Sequence, residues 1–355
     1  MTKALPRFFF VCLMLGSVLT DPTGLALASS SSSIDLSEKA PDKLALVVGN
    51  TNYKALAKIA PALQDAKLIA DLLYSKGFDV VARTDLSHAD LYNEILNLKA
   101  RSRASAYRNT ARPLTVFYFS GHGFSEDGRQ FITGTDAGVN GEVLDAKSVS
   151  IDRAIDEIAP TSLLIGLIDA CRTDYAPSVV TPKALEPFGL NFLSASASKG
   201  DRGSAENKRS GDYWIAYAND LGFGVNANTQ SNHRNSPYVD GLLNNLGQGQ
   251  PFEQEFDYVT RYIQGLHIGH DPVKTGNMFG QVYIYFPDSL NQRIRDEWKQ
   301  TVALPSYRKM YNYLWGYRNG LYAAATENWL KQYVQGHNIS VDGDDILPAP
   351  EGIGD

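Results

Sequence analysis

Leu114-Thr115-Val116-Phe117-Tyr118-Phe119 is an apolar run that enters Ser120-Gly121-His122-Gly123. An unbroken apolar stretch closed by glycines reads as a strand buried on both faces, the kind found in parallel sheets. A similar run lies on either side of it. Leu44-Ala45-Leu46-Val47-Val48-Gly49 precedes it, and residues 162–168 follow and run into Asp169-Ala170-Cys171-Arg172. Between the runs the apolar period changes. Leu63, Ala66, Leu68, Ile69, Leu72 and Leu73 recur at helical spacing up to Gly77. Ser87 caps a helix through Leu91, Ile95 and Leu98, and another spans about residues 150–158 before Pro160. A shorter strand is predicted over residues 78–82. Strands alternating with helices predict an α/β fold, with a mostly parallel central sheet and helices on both faces.

Towards the amino terminus, Lys3 and Arg7 precede an apolar run over residues 8–19, and Ala26-Leu27-Ala28 supplies a small-x-small cleavage pattern. Residues 1–28 are therefore expected to be a signal peptide, too short in its apolar part for a membrane span of about 20 residues. Residues 29–42 begin with a serine run and read as a flexible linker. On this reading the protein is exported, periplasmic or secreted, with no membrane association after the leader is removed.

Towards the carboxyl terminus, residues 173–212 show little periodicity and carry Pro177, Pro182 and Pro187. So long an irregular stretch inside a compact domain is usually functional or disordered. Order is expected to resume with a strand over residues 213–218, helices over 237–246 and 252–263, and a last strand over 282–286. Residues 43–287 thus form one domain, with a large part (43–172), a loop (173–212) and a small part (213–287). Residues 288–355 add a helical extension dense in aromatics, among them Trp298, Tyr307, Tyr311, Tyr313, Trp315, Tyr317, Tyr322 and Trp329, with a polar tail. Those aromatics suit either helices packed on the main domain or a surface for a partner.

Composition excludes several classes. The 355 residues are 43% hydrophobic and 20% charged, inside the globular range. A net charge of −6 argues against nucleic acid as the chief partner. Two cysteines cannot build a disulfide scaffold, and Cys12 lies inside the leader, so Cys171 is the one thiol left to explain. No dinucleotide fingerprint, phosphate loop or Gly-x-Ser-x-Gly elbow is present. His267-Ile268-Gly269-His270 resembles a nucleotide-binding signature but lies too late in the chain for one, and it lacks a fourth ligand for a metal.

The two glycine- and acid-flanked motifs follow predicted parallel strands, whose carboxyl ends are where open α/β sheets place ligands. Side chains alternate along a strand, so Ser120 and His122 share a face, as do Asp169 and Cys171. If the strands are neighbours, an imidazole meets a thiol. An ordinary thiol is mostly protonated at neutral pH, and a nearby base activates it. Taken singly, Cys171 also suits a small core hydrophobe and His122 a structural histidine.

Taken together, Tyr118-Phe119-Ser120-Gly121-His122-Gly123 and Asp169-Ala170-Cys171-Arg172 resemble the histidine and nucleophile motifs of caspase-like cysteine peptidases, in the metacaspase and paracaspase form. Their separation agrees with the spacing of about 50 residues quoted for caspases. Val47-Val48-Gly49-Asn50, Leu63-Gln64-Asp65-Ala66 and Asn235-Ser236-Pro237-Tyr238 extend the resemblance. It implies an exported bacterial-type peptidase with a caspase-like sandwich fold and protein or peptide substrates. Neither a metal nor an organic cofactor is implied. By the same resemblance Cys171 is the nucleophile, His122 the general base and acid, and the Gly123 and Cys171 main-chain N–H groups the oxyanion hole. Asp65, Ser120 and Asp169 match an acidic first specificity pocket, which selects Arg or Lys. Lys199, Arg202 and Arg209 are then candidate self-cleavage positions, or ordinary charges of a loop. Glu126, Asp127, Asp136, Glu142 and Asp145 are too scattered to support the calcium activation known in metacaspases. An inactive caspase-like binding or scaffold module is the alternative.

Overall fold

A computed structural model describes residues 34, 36–138, 146–172, 211–220, 235–339 and 347–350. The expected leader (1–28), the serine run (29–33) and residues 173–210 of the expected loop lie outside the described residues. The three apolar runs are β1 (Lys43–Gly49), β3 (Leu114–Ser120) and β7 (Leu163–Asp169), flanked by β2 (Asp79–Thr84) and β8 (Asp212–Tyr217). They form a parallel sheet in the order β2-β1-β3-β7-β8, and β9 (Val273–Gly276) closes the edge antiparallel to β8.

Alternation along the strands feeds two cores. On one face α1 (Ala62–Ser75), α4 (Pro237–Asn245) and α5 (Phe252–Gly265) pack Ile69, Leu73, Val239 and Phe256 against Val116, Tyr118, Ile165 and Leu167. On the other, α2 (His88–Asn109) and α3 (Ile151–Ile158) pack Leu91, Ile95 and Ile155 against Phe117, Phe119, Leu164 and Ile168. Full burial of side chains of this size contributes about 1.5–3 kcal/mol each. Ser87, Ser150 and Ser236 cap α2, α3 and α4, each accepting from the N–H three residues on at 3.1–3.2 Å.

Two features differ from the sequence reading. Residues 282–286, expected as the last strand, pair with no strand among the described residues. Asn319 takes both main-chain groups of Tyr283 with its carboxamide at 2.9 Å, and Lys43 Nζ donates to the Ile284 carbonyl at 3.0 Å. Side chains thus satisfy a backbone that periodicity assigned to a ladder. The second feature is a small sheet that the sequence reading did not foresee, β4 (Gly123–Glu126), β5 (Arg129–Thr133) and β6 (Ser148–Ser150), directly after the His122 motif.

The aromatic extension forms three helices, α6 (Asp288–Ala303), α7 (Tyr307–Gly316) and α8 (Ala323–Gly336). Its aromatics build a core: Trp298, Tyr307, Tyr313, Tyr317 and Tyr322 are all buried, with Trp298 stacked on Tyr322 at 4.8 Å. Of the aromatics singled out from the sequence, Trp315 is exposed. Glu38 accepts from Arg295 at 2.8 and 3.0 Å and from Tyr322 at 3.0 Å, which ties the segment before β1 to this layer. Among the described residues no helix is long and apolar enough to cross a membrane.

The layer also grips the first residue of β8. Asp212 pairs with Arg112 and with Arg318, whose other arm donates to Glu327 at 2.7 Å. Asp212→Ala removes the carboxylate from Arg112 and leaves Arg318 with Glu327 alone in a poorly hydrated site, and breaking such a buried pair costs about 3–5 kcal/mol. We expect a matching fall in urea stability, and a loss below about 1 kcal/mol would show the network to be idle.

Candidate active site

The register of the sheet builds the site. Ser120 lies opposite Asp169 on the adjacent strands β3 and β7, so His122 and Cys171 both follow two residues later at the same sheet edge. Adjacent strands lie about 4.8 Å apart. The two turns touch. A Cβ on Gly123 would fall 2.9 Å from the Ala170 Cβ and 3.0 Å from the Cys171 carbonyl oxygen, so this position accepts only glycine. The small sheet braces both turns. Thr133 donates its N–H to the His122 carbonyl at 3.0 Å, and Ser125 Oγ donates to the Arg172 carbonyl at 3.3 Å. Arg172 leads away from the thiol, with its guanidinium 3.8 Å over the Tyr217 ring and donating to the Asn219 carbonyl at 3.1 Å.

The imidazole is oriented by a single loop, residues 50–60. His122 Nε2 lies 2.8 Å from the Ala57 carbonyl, which can only accept, so Nε2 carries the proton in the neutral ring and Nδ1 keeps its lone pair. Burial holds His122 below the usual imidazole value, and the Ala57 bond offsets this in part. The ring is therefore neutral at pH 7, ready to accept a proton. Cys171 is half-buried, two residues past the Asp169 that pairs with Ser120.

Beneath the two turns lie two buried carboxylates. Gly49 lets α1 come close, because a Cβ there would sit 2.4 Å from the Ala62 carbonyl oxygen, and α1 brings Asp65 over the strand ends. Ser236, the cap of α4, joins the pair: its N–H donates to Asp65 Oδ1 at 3.0 Å and its hydroxyl to Asp169 Oδ2 at 2.5 Å. Ser120, also buried, continues the same face of β3. Burial pushes Asp65 well above the usual carboxylate range, with the Asp169 charge adding to it. Burial likewise raises Asp169, against the Ser236 bond. Among the described residues Asp169 Oδ1 is buried without a hydrogen-bond partner.

The structure therefore brings together Asp65, Ser120, His122, Gly123, Asp169 and Cys171. Lys199, Arg202 and Arg209 lie outside the described residues, as do Glu142 and Asp145. Asp136 is engaged with the His88 N–H and with Lys147, while Glu126 and Asp127 flank the β4–β5 turn. Among the described residues no three metal-ligating side chains cluster. The sequence reading missed Tyr53, Ala57 and Ser236 as members of the site. Ser236-Pro237 carries a helix-start signal that could have placed Ser236, whereas nothing local marks Tyr53 or Ala57.

An imidazole and a thiol at adjacent carboxyl ends of a parallel sheet, above buried acids, define a domain of the cysteine-peptidase class. A family model described as caspase domain matches residues 42–285, and the chain belongs to that family of cysteine peptidases. It is 27% identical over 149 residues to the human mucosa-associated lymphoid tissue lymphoma translocation protein 1, and 26% identical over the same length to the mouse homolog. Each match covers 41% of this chain but 17% of the relative, so the chain spans about a sixth of their length.

Proposed function

We propose that this chain is a cysteine endopeptidase that cleaves after Arg or Lys. The observation that carries the reading is the Ser120–Asp169 register, which stacks the His122 and Cys171 turns over two buried carboxylates. His122 Nδ1 takes the Cys171 proton, and the thiolate attacks the scissile carbonyl carbon. The Gly123 and Cys171 N–H groups receive the negative oxygen. The same imidazole protonates the leaving amine, and water then releases the acyl group with His122 again as base. Asp65 and Asp169 pair the substrate guanidinium or ammonium, and the unpartnered Asp169 Oδ1 supports a cation rather than an acid there. The leader-like residues 1–28 support export.

The test is to incubate the purified protein with fluorogenic peptides ending in Arg, Lys or Asp. Release after Arg or Lys is expected. Release after Asp alone would overturn the pocket but keep the thiol chemistry, and silence on all three would favour the scaffold reading.

The pocket also sets a pH dependence. A raised carboxyl is protonated, hence neutral, below its folded pKa, and a cation binds the ionised form. Binding a small guanidine such as agmatine must therefore release protons and tighten as pH rises. The window runs from about 6 to about 8, the values to which Asp169 and Asp65 are raised. We expect competitive inhibition by agmatine to strengthen across it, by at most about tenfold per unit for each proton released. Asp65→Asn should flatten the slope, and an unchanged slope in that variant would remove Asp65 from the pocket.

A further inference from the structure

His122 stands two residues beyond the end of β3, where its main-chain N–H has passed the last strand partner. A buried N–H without an acceptor costs about 1–3 kcal/mol, enough to rotate a turn. The acceptor comes from a side chain. Tyr53 Oη takes the His122 N–H at 2.8 Å, and the Tyr53 ring meets the imidazole edge-on with centroids 4.6 Å apart. Thr133 Oγ1 lies 3.4 Å from the same hydroxyl and donates to the His122 carbonyl at 3.2 Å. Both sides of the His122 main chain are thereby fixed.

The loop that carries Tyr53 is itself held. Asp85, with φ 54°, accepts from the Thr51 and Asn52 N–H groups at 2.8 Å each and from Asn52 Nδ2 at 2.7 Å. Lys54 N–H donates to the Thr135 carbonyl at 2.9 Å. Four residues further along the same loop, Ala57 holds the imidazole Nε2. One segment thus grips the histidine at its backbone and at its ring. Gly121 completes the fit, since a Cβ there would fall 2.6 Å from Tyr53 Oη and 2.7 Å from the Phe119 ring.

We propose that Tyr53 is a positioning residue for the reaction proposed above, its hydroxyl fixing the His122 backbone so that the imidazole keeps its aim at Cys171. The proposal rests on that reading of the dyad. Burial pushes the Tyr53 phenol up to about 12, so the hydroxyl stays un-ionised and acts by geometry alone.

Tyr53→Phe tests it, because the ring remains and only the acceptor is lost. Turnover of an Arg peptide should fall about 10- to 100-fold, the scale of a small misplacement of a catalytic group, with KM within about twofold. Independently of any substrate, Cys171 alkylation by iodoacetamide, followed across pH by mass spectrometry, should slow near neutral pH, where the imidazole takes the thiol proton in the parent. Thr133→Val keeps the tyrosine and removes the hydroxyl that lies 3.4 Å from Tyr53 Oη and donates to the His122 carbonyl, and it should shift both readouts in the same direction, so an unfolded Tyr53→Phe protein does not end the test. Folded variants with turnover within about twofold of the parent and an unmoved alkylation profile would overturn the role of Tyr53. A parent profile that His122→Ala leaves unchanged would instead remove the dyad, and the proposal with it.

Discussion

Cys171→Ala is expected to lower kcat/KM on Arg peptides by at least about 10⁴-fold, because the covalent route is lost and no second nucleophile replaces it. The turn that presents the sulfur is held from outside the side chain, by Ser125 on the Arg172 carbonyl and by Arg172 on Tyr217 and Asn219. The variant should therefore fold, keep its pocket and bind agmatine as the parent does. His122→Ala should cost a comparable amount, and the double variant little more, since the two groups act as a unit. Retained affinity with lost turnover is the pattern to look for in steady-state kinetics beside an agmatine titration. Turnover within about tenfold of the parent would exclude Cys171 as nucleophile.

Asp169→Asn is the second large effect. The substitution keeps the shape of the side chain and its bond from Ser236, but it removes the charge whose Oδ1 is buried without a partner among the described residues. Leaving a substrate guanidinium short of its counter-charge in a buried site costs about 2–5 kcal/mol, or about 30- to 5,000-fold in kcat/KM for Arg peptides. A peptide with a neutral residue at that position should lose far less. In the empty protein the same change has the opposite sign, since it relieves the repulsion between Asp65 and Asp169. Thermal stability at pH 8 should therefore hold or rise while Arg cleavage collapses, a combination that a misfolded variant cannot give. Equal losses on charged and neutral peptides would show that Asp169 does not read the substrate charge.

The parallel sheet was legible in the sequence because β1, β3 and β7 are unbroken apolar runs, buried on both faces, and few other structures tolerate such runs. Residues at strand ends inherit that clarity, so Ser120, His122, Asp169 and Cys171 could be picked out, and the register that joins them only needed β3 and β7 to be neighbours. The small sheet was not legible, because its strands are three to five residues long and mix charged with apolar positions. Residues 282–286 carried a strand-like pattern, yet Asn319, 36 residues away from Tyr283, takes the backbone a strand would have used. Tyr53 and Ala57 escaped for a related reason. Their roles depend on a hydroxyl and a carbonyl reaching across from an irregular loop, and no period records that.

Lys43, at the head of β1, donates to the Ile284 carbonyl across 241 positions of sequence, and Glu38 meets Arg295 across 257. A ribosome adding about 5–20 residues per second makes those partners about 12 to 50 s after the strand itself. During that interval the dyad and its acids can all have been made, since Ser236 precedes Ile284. The strand at the centre of the large part still waits for its last fastening. Synthesis thus sets a clock in which the Cys171 thiol exists well before the scaffold around it is closed.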